Sequence, residues 1–197
     1  MKTIFEQYEL VLASKSPRRR QLLGQLGFPI HFVDINVDES QHDSIPSHQV
    51  AESLANLKAS SHNSTLITDN QILITADTIV VHNQKVLGKP HNREEAFQML
   101  NNLSGDCNHV YTGVCLKTKN ETRSFTEKSD VYFRKLEDWE INYYLDNYQY
   151  LDKAGSYGIQ EWIGMVGVTK IEGCYYNVMG LPLTHLYEEL LQLIRKS

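Results

Sequence analysis

The segment Ser14-Lys15-Ser16-Pro17-Arg18-Arg19 has the composition of an anion site. It follows a short apolar run, and Ser16 with Pro17 marks a helix start whose free backbone N–H groups and dipole attract negative charge. First helical turns ordinarily carry Asp or Glu, so arginines placed there raise the local electrostatic energy until an anion lowers it. The plainer alternative is a solvated basic face on a surface helix.

Asp77 interrupts the run Ile72-Leu73-Ile74-Thr75-Ala76-Asp77-Thr78-Ile79-Val80-Val81. An unpaired carboxylate amid such neighbours is expensive, which leaves three uses for it: binding a cation, pairing with a structural Lys or Arg, or acid/base work. Thr78 faces the other side of a regular strand, and a bulge would bring both residues to one site.

Lys58 sits at the edge of an apolar helical stripe, where its stem is covered while its ammonium reaches outward. Lys89 lies in the stiff segment Gly88-Lys89-Pro90; either lysine also reads as an ordinary surface residue. Glu39, in Asp38-Glu39-Ser40, is a candidate second carboxylate beside Asp77, and two carboxylates plus phosphate oxygens suit Mg²⁺. Gln160 offers both a donor and an acceptor, as recognition of a nucleotide base requires.

The elements that must position these groups follow from periodicity and punctuation. Leu10 to Ala13 reads as a short buried strand, followed by a helix from Pro17 to about Gly27. A second helix spans Ser47 to about Ser61, with Ser47 as cap and Val50, Leu54 and Leu57 on one face. The Asp77 run is a central strand, and His82 to Lys85 a turn. A third helix starts at Asn92, where Asn92 and Glu95 have capping-box spacing, and stops at Ser104-Gly105. Cys107 to Arg134 reads as a long hairpin turning at Thr118 to Glu121, and Glu137 to Asn147 as a helix. Short strands are expected between Gln160 and Lys170, then an amphipathic helix from Thr184 to Lys196 carrying Leu186, Leu190 and Ile194. Hairpins mixed with helices predict an α/β or α+β fold around a mixed sheet. No repeat or Gly/Ser linker divides the 197 residues, so one domain over 1–197 is expected.

Bulk composition narrows the field. The net charge of -5 argues against a broad nucleic-acid surface, which is usually basic over a whole face. No apolar run reaches the roughly 18 to 20 residues of a membrane span, and the start lacks a secretory signal, so a cytoplasmic location is expected. Three cysteines without a C-x-x-C pair speak against disulfides or a zinc knuckle, and the eight histidines never pair at i, i+4. The common nucleotide-loop, dinucleotide, esterase and zinc-protease motifs are absent.

Taken together, the segments resemble the Maf family of nucleoside triphosphate pyrophosphatases. The resemblance rests on Leu12 to Arg19, Ala76-Asp77-Thr78, Gly88-Lys89-Pro90, Tyr111-Thr112-Gly113-Val114, Ala154 to Gln160 and Tyr176 to Leu183, in family order over nearly the whole chain. It implies an inosine-triphosphatase-like fold, with a long curved mixed sheet, flanking helices, a cleft between two lobes, and commonly a homodimer. It implies hydrolysis between the α and β phosphates with a divalent metal, Mg²⁺ or Mn²⁺. By motif match, Asp77 takes the place of the proton acceptor, Ser14, Arg19, Lys58 and Lys89 match phosphate-binding residues, and Glu39 matches an acidic residue near the metal. Arg18, Thr78 and Gln160 match the specificity positions of the dTTP/UTP branch, where a 7-methyl-GTP branch typically has Trp for that Arg. Ser156, the stretch Glu161 to Met165, and Cys174 depart from the usual family pattern; the first two flank Gln160 and bear on base selection. A nucleotide-binding regulator of septum formation with incidental catalysis is the alternative the family also implies; a basic-patch RNA binder is disfavoured by the acidity. A pure binding module has no need of Asp77, Glu39 and several cations together.

Overall fold

The apolar runs at residues 10–13 and 72–81 fold as neighbouring parallel strands in the computed structural model, which describes residues 6–35, 37, 45–61 and 67–196. Strand β1 (Glu9–Ala13) lies between β2 (Ile30–Val33) and β3 (Gln71–His82), parallel to both, with Leu12 opposite Phe32 and Ile74. β-Branched residues and buried positions on both faces of β3 mark it as a covered strand. Asn83 and Gln84 adopt left-handed φ values of 48° and 64°, the conformation of a tight hairpin turn, and return the chain into β4 (Lys85–Leu87), antiparallel to β3. The order across the sheet is β2-β1-β3-β5-β6-β7, with β5 (Cys107–Lys117), β6 (Thr122–Phe133) and β7 (Val168–Glu172) completing it; β6 and β7 are antiparallel, so the sheet is mixed. Helices α1 (Pro17–Gly24), α2 (Ser47–Ser61), α3 (Arg93–Leu103), α4 (Asp138–Asn147), α5 (Trp162–Gly167), α6 (Tyr175–Met179) and α7 (Leu183–Lys196) flank it, giving a mixed α/β fold. No helix among the described residues is long and apolar enough to cross a membrane.

The chain divides into two compact units, and it passes from one to the other within β3, β5 and β6. The first comprises Met1–Asp77, Thr112–Glu127 and Gly180–Ser197. Its core includes Val11, Ala13, Ile67 and Leu73, and Ala55 and Ala59 of α2 against Cys115. Leu186, Leu190 and Ile194 of α7 are buried as their helical spacing requires, each contributing about 1.5–3 kcal/mol. The second unit comprises Thr78–Tyr111 and Lys128–Met179, and its core joins Val80, Leu100, Val110, Val131, Ile141, Tyr144 and Ile163.

Four local expectations are corrected. Helix α1 ends at Gly24, three residues early, and Gly27 takes φ 80° beyond it. The buried line of α2 is Val50, Ala51, Leu54, Ala55 and Ala59, while Leu57 is 38% exposed. Leu57 stands about 200° around the helix from both Ala55 and Ala59, the residues that face the sheet. Asn92 caps α3, but Glu95 turns to the backbone N–H and ring of His91 instead of closing a capping box. Finally, Trp162–Gly167 is helical where a strand was expected, because six residues are too few to reveal a helical period.

Candidate active site

In the first unit, the turn from β1 to α1 is built around two serines. Ser16 caps α1, its Oγ accepting the Arg19 N–H at 3.5 Å, and Pro17 fills the first helical position. Ser14, only 8% exposed, accepts the Ser16 N–H on its Oγ at 3.2 Å. The first turn holds no acidic residue. Arg20 is committed to structure: it donates to the Ser14 carbonyl at 2.9 Å and to Asp34 at 2.8 Å, and lies 5.1 Å from the Phe32 ring centre. Arg19 Nε donates to the Gly180 carbonyl at 2.8 Å, and Arg18 is half-buried.

The register of β1 against β3 pairs Ala13 with Thr75. Asp77 therefore lies two residues past that pairing, just beyond the C-terminal end of β1, where open α/β sheets bind ligands, while β3 itself runs on to His82. Lys58 of α2 donates to Asp77 Oδ1 at 2.5 Å, with the two side chains only 13% and 14% exposed. Two contacts set the position of α2. Thr75 Oγ1 donates to the Ala55 carbonyl at 2.7 Å, and Gly113 of β5 lets the helix backbone come so close that an added Cβ would lie 2.3 Å from Ala51 C. A helix two residues out of place would not bring Lys58 to Asp77.

In the second unit, Thr78 is half-buried and Lys89 exposed. The Gly-rich segment leading to Gln160 is tied down on each side. Gly155 and Ser156 take left-handed φ values of 68° and 65°, and the Gly155 N–H donates to the Gly88 carbonyl, next to Lys89, at 3.1 Å. Tyr157 donates to Asn108 at 2.9 Å, and the Gly158 N–H donates to the Tyr144 hydroxyl at 3.1 Å. Tyr144 in turn bonds Glu161, which pairs with the buried Lys153 at 3.0 Å. Burial and the Glu161 carboxylate both push the Tyr144 phenol well above its ordinary value, so it stays a hydrogen-bond donor. Gly164 admits the Ile159 carbonyl, which would lie 2.1 Å from a Cβ there. Gln160 Oε1 is buried with no hydrogen-bond partner among the described residues, and Gln160 lines a cavity of about 490 Å³ with Lys170 and Tyr175.

The sequence model of the family described as Maf-like protein matches residues 9–193. The chain belongs to the Maf-like protein family. It is 51% identical over 187 residues to a dTTP/UTP pyrophosphatase of Parabacteroides distasonis, covering 94% of this chain and 96% of that protein. A dTTP/UTP pyrophosphatase of Bacteroides fragilis is 49% identical over 189 residues, covering 95% and 97%. Among solved structures, the Staphylococcus aureus Ham1 protein matches with a TM-score of 0.46 and 16% identity over 64% of this chain and 71% of that one.

In this Maf-like chain, Ser14, Arg18, Arg19, Lys58 and Asp77 fall in the first unit, and Thr78, Lys89 and Gln160 in the second. Glu39 lies outside the described residues. Lys58, matched to the family's phosphate-binding residues, donates to Asp77. Sequence reasoning missed Thr75, the Gly180 carbonyl and the Lys153-Glu161-Tyr144 chain. Gly113 carries a signal of its own, since a glycine inside a strand marks close backbone approach.

Proposed function

We propose that this chain is a nucleoside triphosphate pyrophosphatase that hydrolyses dTTP and UTP to the monophosphate and pyrophosphate. The observation that carries the reading is the largely buried Asp77 carboxylate, held by Lys58, just past the end of β1, where a helix start rich in cations begins. The full-length relatives at 51% and 49% identity carry that activity in their names and support the same bond and the same bases.

In this reading the α1 N–H groups, Ser14, Arg19 and Lys89 bind the phosphates and offset their charge. Asp77 accepts the proton of a water attacking in line at the α-phosphorus, and pyrophosphate leaves. Lys58 holds the carboxylate on that line. Arg18, Thr78 and Gln160 select the pyrimidine, Gln160 through an amide that can both donate and accept.

A divalent metal suits the donor set, because Mg²⁺ or Mn²⁺ needs one or two carboxylates and the Asp77 carboxylate, bound by Lys58 at Oδ1, has a second oxygen. Asp77 and Glu39 would hold it, and when bound it would neutralise charge on the phosphate oxygens. A cytoplasmic location, expected from the sequence, and a homodimer, implied by the family resemblance, belong to the same proposal.

The test is to incubate the purified protein and Mg²⁺ with dTTP, UTP, CTP, GTP and 7-methyl-GTP and separate the products. Monophosphate plus pyrophosphate from dTTP or UTP is the expected result. Diphosphate plus orthophosphate, or no turnover, would refute the reading.

A further inference from the structure

In the second unit, the sheet face turned away from the core carries a row of polar side chains. Alternation along the strands puts Cys107, His109 and Tyr111 of β5, with Asp130 and Tyr132 of β6, on the half-exposed side, and buries Asn108, Val110, Ser129 and Val131 on the other. Within this row, Cys107, His109 and Asp130 bring one ligand atom each to within 4.8 Å of one another. His109 Nδ1 lies 2.5 Å from Asp130 Oδ1, and the Lys128 ammonium sits 2.9 Å from the same oxygen.

We propose that Cys107, His109 and Asp130 form a binding site for zinc or a similarly borderline-soft divalent ion, sharing no residue with the carboxylate site at Asp77. Thiolate, imidazole and carboxylate are the three zinc-ligand classes, whereas Mg²⁺ and Mn²⁺ prefer oxygen alone. A tetrahedral zinc spaces its ligand atoms about 3.5 Å apart. The three atoms reach that spacing by side-chain rotation, with His109 and Asp130 opening by roughly 1 Å and Cys107 drawing in. Three protein ligands leave the fourth position to water, and the half-exposed face admits the ion from solvent. The Tyr111 ring stands beside the imidazole, its centre 6.5 Å from that of His109 and its plane inclined at 65°. Binding releases the Cys107 thiol proton to solvent.

Lys128 supplies an internal check. Its side chain is 45% exposed, and its ammonium competes with the ion for Asp130. The ion takes Oδ1, and the lysine retreats to Oδ2, now 3.1 Å away, or to solvent. Removing this cation should tighten binding.

The experiment uses the full-length chain stripped of metal, titrated with Zn²⁺ in equilibrium dialysis and separately with Co²⁺ in an absorption cuvette. The expected result is a saturable thiolate-to-cobalt charge-transfer band that persists in Asp77→Asn and vanishes in Cys107→Ser. Zinc affinity should fall roughly tenfold or more in Cys107→Ser and His109→Ala, and rise in Lys128→Met. Circular dichroism of each variant verifies its fold. Absence of a saturable band, or a band that survives Cys107→Ser, would overturn the proposal; so would unchanged zinc affinity in folded Cys107→Ser and His109→Ala. None of these readouts depends on nucleotide hydrolysis.

Discussion

Lys58 on α2 and Asp77 on β3 meet across 2.5 Å, each side chain less than one-sixth exposed. The contact neutralises a carboxylate that a covered strand would otherwise reject, and it does so in the middle of β3, two residues past the pairing of Thr75 with Ala13. A structural need and a chemical one therefore fall on the same pair.

Asp77→Asn should abolish hydrolysis while leaving nucleotide binding in place, because the amide keeps the shape but cannot take a proton. Pyrophosphate release and calorimetric titration with UTP measure the two properties separately. Turnover near that of the unmodified chain would remove Asp77 from the mechanism.

Lys58→Met leaves Asp77 largely buried without its cation and should lower the unfolding free energy by about 3 kcal/mol. The same substitution made on top of Asp77→Asn should be much milder, since no charge remains to be stranded. Urea unfolding of the four proteins gives the coupling directly. Strict additivity would mean that the pair contributes nothing as a pair.

Gly113→Ala forces a methyl group into a space 2.3 Å from the α2 backbone. The helix must back away, which should lower stability by about 1–3 kcal/mol and disturb the Lys58-Asp77 contact as well. Thermal unfolding and turnover of UTP should fall together. A variant with a lowered melting point and full activity would show that α2 can move without disturbing the chemistry.

Gln160→Ala removes the amide with the unsatisfied buried oxygen. If Gln160 reads the base, the preference for UTP over GTP, taken as a ratio of kcat/KM values, should shrink by about tenfold. An unchanged ratio would assign the amide a purely structural part.

Acid should weaken the second unit through Glu140. The Arg134 guanidinium grips this carboxylate at 2.5 and 2.9 Å and, against the opposing effect of burial, holds its pKa below the ordinary 4.5. Below that ordinary value the unfolded chain binds more protons than the folded one. The stabilisation is thus complete above about pH 4.5 and is lost as pH falls through the depressed folded value. Urea midpoints measured from pH 7 downward should show a shallower acid decline for Glu140→Gln. Parallel curves for the two proteins would exclude the pair as a source.

Strands and helices with strong local signals were legible in the sequence. The β-branched run around Asp77 has no helical period, the Ser16-Pro17 start carries both cap and first-turn signals, and Leu186, Leu190 and Ile194 repeat at four residues. Short or conditional elements were not. Trp162–Gly167 is held as a helix by Gly164 against the Ile159 carbonyl, a tertiary contact with no sequence period. Leu57 reads as core until Gly113 and the alanines of α2 reveal which side of the helix meets the sheet. The candidate site was readable as residue types; the partnership of Lys58 with Asp77 was not, since it depends on where α2 lies. The Cys107 and His109 pair does not show at the i, i+4 spacing of helical metal ligands, because a strand presents i and i+2 on one face.

Arg19 finds its acceptor on Gly180, 161 residues further along the chain. During synthesis the arginine emerges 161 residues ahead of its anchor. Local signals allow the α1 turn to form early, yet its guanidinium gains this tether only after the ribosome has delivered the Gly180 segment. A nascent chain can thus carry the basic turn long before it holds Arg19 in its finished geometry.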